Sequence, residues 1–348
     1  MTARAPIAPW LGVLLLMAIA TTFATNHVAA RLAFDHGTSV ATAVTVRSFV
    51  TTFTVLGLLR LTRTPLALPA ATVRRAIVIG LLLAVQSYCL YAAVARLPVA
   101  LALLTFNVFP IMLAAVSWLA GGAPPSRRTL LAMPVILAGL VLALDVFGLS
   151  APAAAAAGTG AASPAAMSLA AAPPVAAAGG AGGALSALAR RWLEIGAGVG
   201  FGLTAAAAFA VALYLTTRWL GHIDGRLRAC LTMATVGVVV LLSGLLAGLS
   251  GWLGDAAGPT TAFRFPNDTT GWVGLALLSL LYTTAFTSLF VVLPRLGAVN
   301  SAPAMNFEPI AAMILGAAVL GQSVGTSQII GALLVIGGIV FLATGRST

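Results

Sequence analysis

The chain of 348 residues contains no lysine, seven acidic residues and three histidines. Without lysine it cannot form the Gly-Lys-Ser/Thr phosphate loop of an ATPase motor or a lysine Schiff base with a cofactor. The histidines, His27, His36 and His222, stand too far apart for a His-Glu-x-x-His zinc site. The two cysteines, Cys89 and Cys230, match no metal-ligand spacing. The sequence therefore predicts no metal site and no bound cofactor.

Charge of either sign is scarce, because only 7% of residues are charged while 60% are hydrophobic. Soluble domains carry about 25% charged residues, so this chain cannot cover a surface that faces water. It is predicted to be an integral membrane protein. The net charge of +11 comes from arginines scattered between apolar runs. No basic face with interleaved aromatics is present in the sequence, which argues against nucleic acid as a partner and favours arginines that orient membrane helices.

Ten apolar runs are each about 20 residues long, which is enough to cross a bilayer. The first run is too long for a secretory signal, so we expect it to stay in the mature protein. The prediction is an all-α membrane protein with ten transmembrane helices. Their predicted bounds are Pro9–Ala30, Val40–Leu59, Arg74–Ala95, Val99–Leu119, Thr129–Gly148, Ile195–Leu220, Ala229–Leu249, Trp272–Leu293, Ala298–Leu320 and Gln328–Ala343.

The arginines predict how these spans are oriented. With the N-terminus in the cytoplasm, 12 arginines fall in inner segments and 5 in outer segments, while Arg47 alone lies within a span. This bias is the one expected for cytoplasmic loops. The six tryptophans fall at span ends, where amphipathic rings prefer to lie. Both termini are therefore predicted to be cytoplasmic.

A segment of unusual composition divides the chain. Residues 150–190 are mainly Ala, Gly, Pro and Ser, which predicts a flexible outer linker. The predicted domains are a first repeat at 1–149, with spans one to five, and a second at 191–348, with spans six to ten. Each half thus contains five predicted spans.

The two halves resemble each other. A shift of 199 residues places Asn107 on Asn306 and Pro110 on Pro309, and spans one and two match spans six and seven more weakly at a shift near 187. Because five is odd, the second copy must enter the membrane inverted. Inverted repeats are typical of secondary transporters, which bind substrate near the midplane between the copies.

Two stretches also resemble a known family. "YAAVARLPVALALLTFNVFPIMLAAVSWLAGG" and "LFVVLPRLGAVNSAPAMNFEPIAAMILGAAVLGQSVGTSQIIGALLVIGGIVFLA" are similar to EamA domains of the drug/metabolite transporter superfamily. The resemblance implies two inverted EamA repeats in a bacterial inner-membrane carrier, often an exporter of amino acids, other metabolites or toxic compounds. The Gly-Glu pairs that often follow spans four and nine in that family are Gly122-Ala123 and Gly321-Gln322 here, which weakens the subfamily assignment but not the fold.

Ionisable side chains within spans are functional candidates, because burying them in hydrocarbon is costly. Glu308, midway along span nine, could bind a substrate amine or carry a proton, or it could be a structural acid paired with Arg47. Arg47 could instead bind a substrate carboxylate. His27, beside Asn26 in span one, titrates near neutral pH and could relay protons, although a structural hydrogen bond to a neighbouring helix is the commoner role.

Prolines recur at matching positions in the two halves. Pro110 and Pro309 each remove a backbone donor and are predicted to kink spans four and nine. Asn107 and Asn306 stand three residues earlier, on the same helix face, where they could satisfy freed carbonyls or contact a ligand. Kink geometry alone would explain the motif nearly as well.

Tyrosines within spans are further candidates for a pocket, with packing as the alternative. They are Tyr88, Tyr91, Tyr214 and Tyr282.

The leading hypothesis is a secondary carrier that moves small metabolites by alternating access, with export of amino acids or related compounds favoured by the resemblance. An intramembrane enzyme or receptor is the alternative, and an enzyme would need a paired catalytic set where the sequence offers one mid-span acid. The predicted partners are a small-molecule substrate and the lipid bilayer. Proton coupling, and the choice between a monomer and a homodimer, are left open.

Overall fold

The structure is a computed structural model that describes residues 9–94, 99–122, 124–144, 180–251, 263–296, 301–320 and 324–343. Within these ranges the chain is built of helices joined by short turns, and the predicted all-α membrane fold is confirmed. The elements are α1 Pro9–Asp35, α2 Val40–Leu61, α3 Ala70–Val94, α4 Val99–Phe106, α5 Phe109–Leu119, α6 Arg127–Ala143, α7 Gly180–Leu220, α8 Gly225–Gly251, α9 Thr269–Leu296, a 3-10 segment Ala302–Phe307, α10 Glu308–Leu320 and α11 Thr326–Ala343.

The described helices suit a bilayer. Six of them, α1 to α3 and α7 to α9, are long and apolar enough to cross one, and shorter apolar helices run over Leu103–Leu119 and Thr326–Leu342. Large apolar side chains such as Phe53 and Leu61 are exposed, because the solvent around a membrane protein is hydrocarbon. α7 begins at Gly180 and so covers the last residues of the predicted linker, while residues 150–179 lie outside the described chain.

Spans four and nine differ from the prediction, because each is interrupted where a single kinked helix was expected. α4 ends at Phe106 and α5 begins at Phe109, while the 3-10 segment ends at Phe307 and α10 begins at Glu308. Pro110 and Pro309 are each the second residue of the new helix, where an N–H would have no partner within the helix. The prolines therefore start helices instead of bending them.

The two halves pack across each other in matching pairs. α1 packs against α9 and α3 against α7, which are equivalent pairings under the repeat. α2 packs against α8 and α6 against α11, so each of these helices meets its own counterpart. The two repeats thus form one interlocked bundle, as the two-repeat fold requires.

Glycines allow the closest of these approaches. A Cβ built at Gly139 of α6 would lie 2.8 Å from the carbonyl oxygen of Gly331 in α11, and one at Gly338 would lie 2.5 Å from Cγ1 of Ile136. These separations are shorter than normal contacts, so larger residues at the crossing would force the helices apart. Small residues are the usual means by which membrane helices pack closely.

One end of the bundle is held by what we call the outer clasp, formed by residues 36–39 and 263–268. The backbone N–H of Ser39 donates to the carbonyl of Arg264 at 3.0 Å, and that of Asn267 donates to the carbonyl of His36 at 2.9 Å. The His36 ring adds a 2.6 Å contact from Nδ1 to Oδ2 of Asp268. The backbone N–H of Gly271, followed by the His36 ring, holds the pKa of Asp268 below its ordinary value.

The opposite end is held by the inner clasp, residues 62–64 and 224–226. Arg226 donates from Nε to Asp224 at 3.1 Å, and its Nη atoms reach the hydroxyls of Thr62 and Thr64 at 3.3 and 3.4 Å. Each clasp joins the turn after the first helix of one half to the segment after the second helix of the other. The two clasps are therefore equivalent under the repeat, and their names follow the predicted orientation.

Candidate functional site

A cavity of about 230 Å³ lies between the two halves and is walled by α1 to α5, α7, α9, the 3-10 segment and α10. Its described wall is largely aromatic and aliphatic. The aromatic residues are Phe23, Phe34, Phe106, Phe109, Phe209, Tyr282 and Phe286. The polar residues are Asn26, His27, Arg47, Gln86, Ser87 and Glu308.

The cavity extends from the middle of the bundle toward the outer clasp. α1 contributes wall residues from Phe23 to Phe34, and Phe34 lies only two residues before His36 of the clasp. Nearer the inner clasp, Arg228 of α8 is 3% exposed and donates to the carbonyls of Leu220 at 2.9 Å and Phe290 at 2.7 Å. Around Arg228, that end of the bundle is packed and hydrogen-bonded.

The sequence explains why the Phe290 carbonyl is available to Arg228. Pro294, four residues later in α9, has no backbone N–H, so it cannot donate the helical hydrogen bond that this oxygen would otherwise accept. The guanidinium supplies the missing donor and also binds the last carbonyl of α7. Arg228 therefore ties three helices of the second half together.

His27 and Glu308 form a side-chain hydrogen bond on the cavity wall, with 2.6 Å between Nε2 and Oε1. His27 belongs to α1 of the first half and Glu308 to α10 of the second, so the pair bridges the halves. Because span nine is interrupted, Glu308 stands in the first turn of α10, where the helix dipole favours a carboxylate. The side chains are 41% and 18% exposed, and both face the cavity.

Arg47 lies over the face of Tyr282, with 4.0 Å from Cζ to the ring centroid. Tyr282 is itself held by Phe23, edge-on at 5.9 Å, and by Phe286, stacked at 5.4 Å. Only 7% of Arg47 is exposed, so the cation–π contact is largely desolvated and contributes about 2 kcal/mol. Guanidinium groups in general recognise carboxylates through a planar pair of N–H donors.

On the side of the first half, the wall is aromatic instead. Phe109 packs edge-on against Phe209 at 5.0 Å, and Phe106 lies 5.6 Å from each of them. Phe109 is the repeat counterpart of Glu308 at the shift of 199 residues. The wall therefore has an ionic side from one broken span and an apolar side from the other.

Asn26, next to His27, is 2% exposed and borders the cavity. Within the described residues its Oδ1 atom has no hydrogen-bond partner. A buried amide oxygen in this condition costs about 1–3 kcal/mol unless a ligand or water donates to it.

Comparison with known proteins identifies the family. The model of the EamA-like transporter family matches residues 10–144 and 196–344, which are most of the chain in two copies. The protein belongs to the EamA-like transporter family. It is therefore a multi-pass membrane transporter of small molecules. No curated protein matches it in sequence.

A solved structure described only as the crystal structure of a protein shares the fold of this EamA-like chain. The match covers 96% of this chain and 98% of the other, with a TM-score of 0.61 and 15% identity. Identity this low supports the architecture alone.

The two asparagines of the repeated motif in this EamA-like protein, Asn107 and Asn306, are not among the residues that line the cavity. Asn107 donates from Nδ2 to the carbonyl of Leu103 at 2.8 Å. Asn306 is fully buried, and its side-chain N and O have no partner among the described residues. The Met305 carbonyl, four residues before Pro309, accepts the backbone N–H of Glu308.

The four tyrosines are placed differently from one another. Tyr282 lines the cavity, Tyr88 hydrogen-bonds Ser243, and Tyr214 packs against the core. The side chain of Tyr91 lies outside the described residues.

Predicted ionisable candidates meet in the cavity, but in a different pairing from the one offered by the sequence. Glu308 pairs with His27, whereas the sequence offered Arg47 as its structural partner. Gln86 and Ser87 were not singled out, although two adjacent polar residues in an apolar run are a detectable signal. The wall phenylalanines carry no such signal, because phenylalanine is an ordinary residue in a lipid-facing helix.

Proposed function

We propose that this EamA-like transporter is a secondary carrier that exports small amphipathic metabolites across the bacterial inner membrane. Amino acids and related compounds are the leading substrates, and the termini are cytoplasmic. The observation that carries the proposal is a cavity built from both repeats and bridged by the His27–Glu308 contact. Sites between inverted repeats are where secondary transporters bind substrate.

Each kind of wall residue has a role in this proposal. Arg47, as the cationic side chain on the wall, binds a substrate carboxylate, and the aromatic side of Phe106, Phe109 and Phe209 packs against an apolar body. The His27–Glu308 pair exchanges a proton or binds a polar group of the substrate.

The contacts between halves suggest how access alternates. In the present conformation the cavity reaches toward the outer clasp, while Arg228 and its neighbours pack the other end. Rocking of one half against the other would open the inner end and close the outer one. The His27–Glu308 contact crosses the boundary that must move, so its strength sets part of the energy difference between the two states.

A transport assay tests the function directly. Purified protein is reconstituted into liposomes loaded with unlabelled amino acids, and exchange of labelled external amino acid is measured with and without a pH gradient. We expect exchange well above protein-free liposomes, and loss of at least about tenfold in Arg47→Gln, because one charge-assisted contact is removed. Arg60→Gln is the matched control, since Arg60 is an exposed arginine in the last turn of the same helix, α2, and does not line the cavity.

The competing hypothesis of an intramembrane enzyme or receptor makes a different prediction for the same experiment. Such a protein would bind or convert its ligand but would not exchange it across the membrane. Binding without any exchange would therefore contradict the carrier.

A further inference from the structure

Three exposed arginines near the inner clasp have no acid to balance them. Arg63 follows α2, while Arg74 and Arg75 stand in the second turn of α3, and all three side chains are exposed. None of them forms an ion pair within the described part of the chain. We call these three residues the arginine patch.

The sequence shows that no residue outside the described ranges supplies the missing acid. Of the seven acidic residues in the chain, only Asp224 falls in a segment predicted to lie on the inner side, where 12 arginines fall. Both carboxylate oxygens of Asp224 already accept from Arg226, at 3.1 Å each. The charge of the arginine patch is therefore left for a partner outside this chain.

Helix stabilisation does not explain the patch. Arg60, in the last turn of α2, has an ordinary explanation, because the negative end of the helix dipole favours a cation. Arg74 and Arg75 lie near the opposite, positive end of α3, where the dipole gives a cation no such benefit. These two arginines need another reason for their charge.

Arg63 occupies a backbone position that is costly for arginine. Its φ is +50°, in the left-handed region that favours glycine. The N–H of Thr64 donates to the carbonyl of Leu59 at 2.9 Å, which closes α2 with the turn that usually has glycine at the place of Arg63. A guanidinium at a position that favours glycine indicates a role for the side chain itself.

The segment that joins α2 to α3 is held in place, so the patch is preorganised. Leu66 and Leu68 pack on a buried cluster that includes Leu227, near the start of α8. The inner clasp holds the same segment by hydrogen bonds from Arg226. Since α2 and α3 both pack against α8, the arginines flank the start of that helix.

The surface beside the patch is apolar and exposed. Leu61 is 84% exposed, and Ile77 and Val78, which closely follow Arg75, are 43% and 42% exposed. A soluble anion has nothing to cover such side chains, whereas a phospholipid places its acyl chains next to its phosphate. Arginines at the ends of membrane helices reach the headgroup level while their stems cover apolar surface.

We propose that the arginine patch binds the phosphate headgroups of anionic phospholipids such as phosphatidylglycerol. The guanidinium groups donate to the phosphate oxygens, and the acyl chains pack on the exposed faces of α2 and α3. This inference goes beyond the carrier function and does not depend on it.

Three probes test the proposal: dioleoylphosphatidylglycerol, dioleoylphosphatidylcholine with the same chains, and glycerol phosphate without chains. Binding of each lipid to the full-length protein in neutral detergent is measured by native mass spectrometry, and glycerol phosphate is added as a competitor. We expect phosphatidylglycerol to bind at least about tenfold more tightly than phosphatidylcholine, because each arginine near an anionic headgroup raises affinity about fivefold. The preference should shrink as salt is added, since salt screens exposed charges.

Two variants locate the site. Arg74→Gln combined with Arg75→Gln should lower the phosphatidylglycerol affinity about 25-fold, at about fivefold per arginine, and leave the phosphatidylcholine affinity unchanged. Arg63→Gly removes the guanidinium from a backbone that suits glycine, so it should lower the phosphatidylglycerol affinity about fivefold without lowering the melting temperature. Arg264→Gln is the charge-matched control, since Arg264 is an exposed arginine in the outer clasp at the other end of the bundle.

Several results would overturn the proposal. They are equal affinity for the two lipids, a preference that salt does not change, or equal losses in Arg264→Gln and Arg63→Gly. Competition by glycerol phosphate as strong as by phosphatidylglycerol would assign the patch to soluble phosphates and overturn the lipid. Amino-acid exchange by liposomes tests the carrier function separately, so either proposal can fail while the other stands.

Discussion

The two broken spans use one backbone plan for different chemistry. In each, an Asn-x-x-Pro motif ends one helical segment and begins another with proline in second position, at Pro110 and Pro309. Between the asparagine and the proline of the motif, the first half places Phe109 against α7, and the second half places Glu308 against α1. These are equivalent positions, because α5 packs on α7 as α10 packs on α1.

The comparison separates what the repeat determines from what this chain has added. The repeat determines where the helix breaks and which neighbour faces the break. The side chain that begins the new helix determines the chemistry: an aromatic ring extends an apolar wall, and a carboxylate at a helix N-terminus creates a site that responds to charge.

The largest effect is expected from removing the acid. In Glu308→Gln, the dependence of transport on a pH gradient should fall by roughly 5–150-fold, the usual range of coupling between two ligands, because the carboxylate that faces His27 is lost. Phe109→Leu, at the equivalent position, should keep that dependence. Liposome exchange at several internal pH values measures both, and equal losses in the two variants would contradict the comparison.

A smaller effect on stability is expected from the aromatic side. Phe109→Ala removes a 3%-exposed ring packed on Phe106 and Phe209, and should cost about 3 kcal/mol of unfolding free energy. The dependence of exchange on a pH gradient should stay at its wild-type value. Thermal unfolding in detergent and liposome exchange test the two parts, with Phe53→Ala, at a 65%-exposed position, as the control.

The prolines allow a matched pair of variants. Pro110→Ala and Pro309→Ala should each change stability by less than about 1 kcal/mol, since proline at the second helical position replaces no hydrogen bond. Only Pro309→Ala should alter the pH dependence of exchange. Without the proline, the 3-10 segment and α10 can join into one helix, so Glu308 would no longer stand at a helix N-terminus. An equal change in pH dependence from both variants would show that the breaks act only on the packing of the helices and not through Glu308.

The smallest effect is expected on stability, from Asp268 of the outer clasp. The folded-state pKa of Asp268 is lowered by the Gly271 N–H and His36, so its contribution to stability is present above the unfolded-state pKa and is lost as pH falls through the folded-state value. Asp268→Asn should therefore lower the melting temperature slightly near neutral pH and not below that folded-state pKa. Thermal scans across pH measure this, and a difference that persists in strong acid would argue against it.

Much of the scaffold could be predicted from the sequence, because it depends on composition and periodic pattern. Apolar length predicted the spans, and the shift of 199 residues predicted that Pro110 and Pro309 share one environment. Whether a proline bends a helix or starts a new one depends on the packing of neighbouring helices, which the local sequence does not contain. The breaks were therefore predicted only as kinks.

The site was predictable in its members but not in its pairing. His27, Arg47 and Glu308 stood out because ionisable residues are rare in these spans. Their partners are set by how α1 and α2 rotate against α9 and α10, and a histidine 281 positions from an acid gives no local clue to the contact. Tertiary geometry alone decided between His27 and Arg47.

Arg228 and Pro294 have a consequence for how this chain can vary. At the corresponding positions, by the shifts of 187 and 199, the first half has Ala41 and Ala95. A proline at 294 without the arginine would leave the Phe290 carbonyl bare, whereas the arginine without the proline would still bind the end of α7. The arginine can therefore be present without the proline, but the proline requires the arginine. A chain that gains both gains Arg228 first, and a chain that loses both loses Pro294 first.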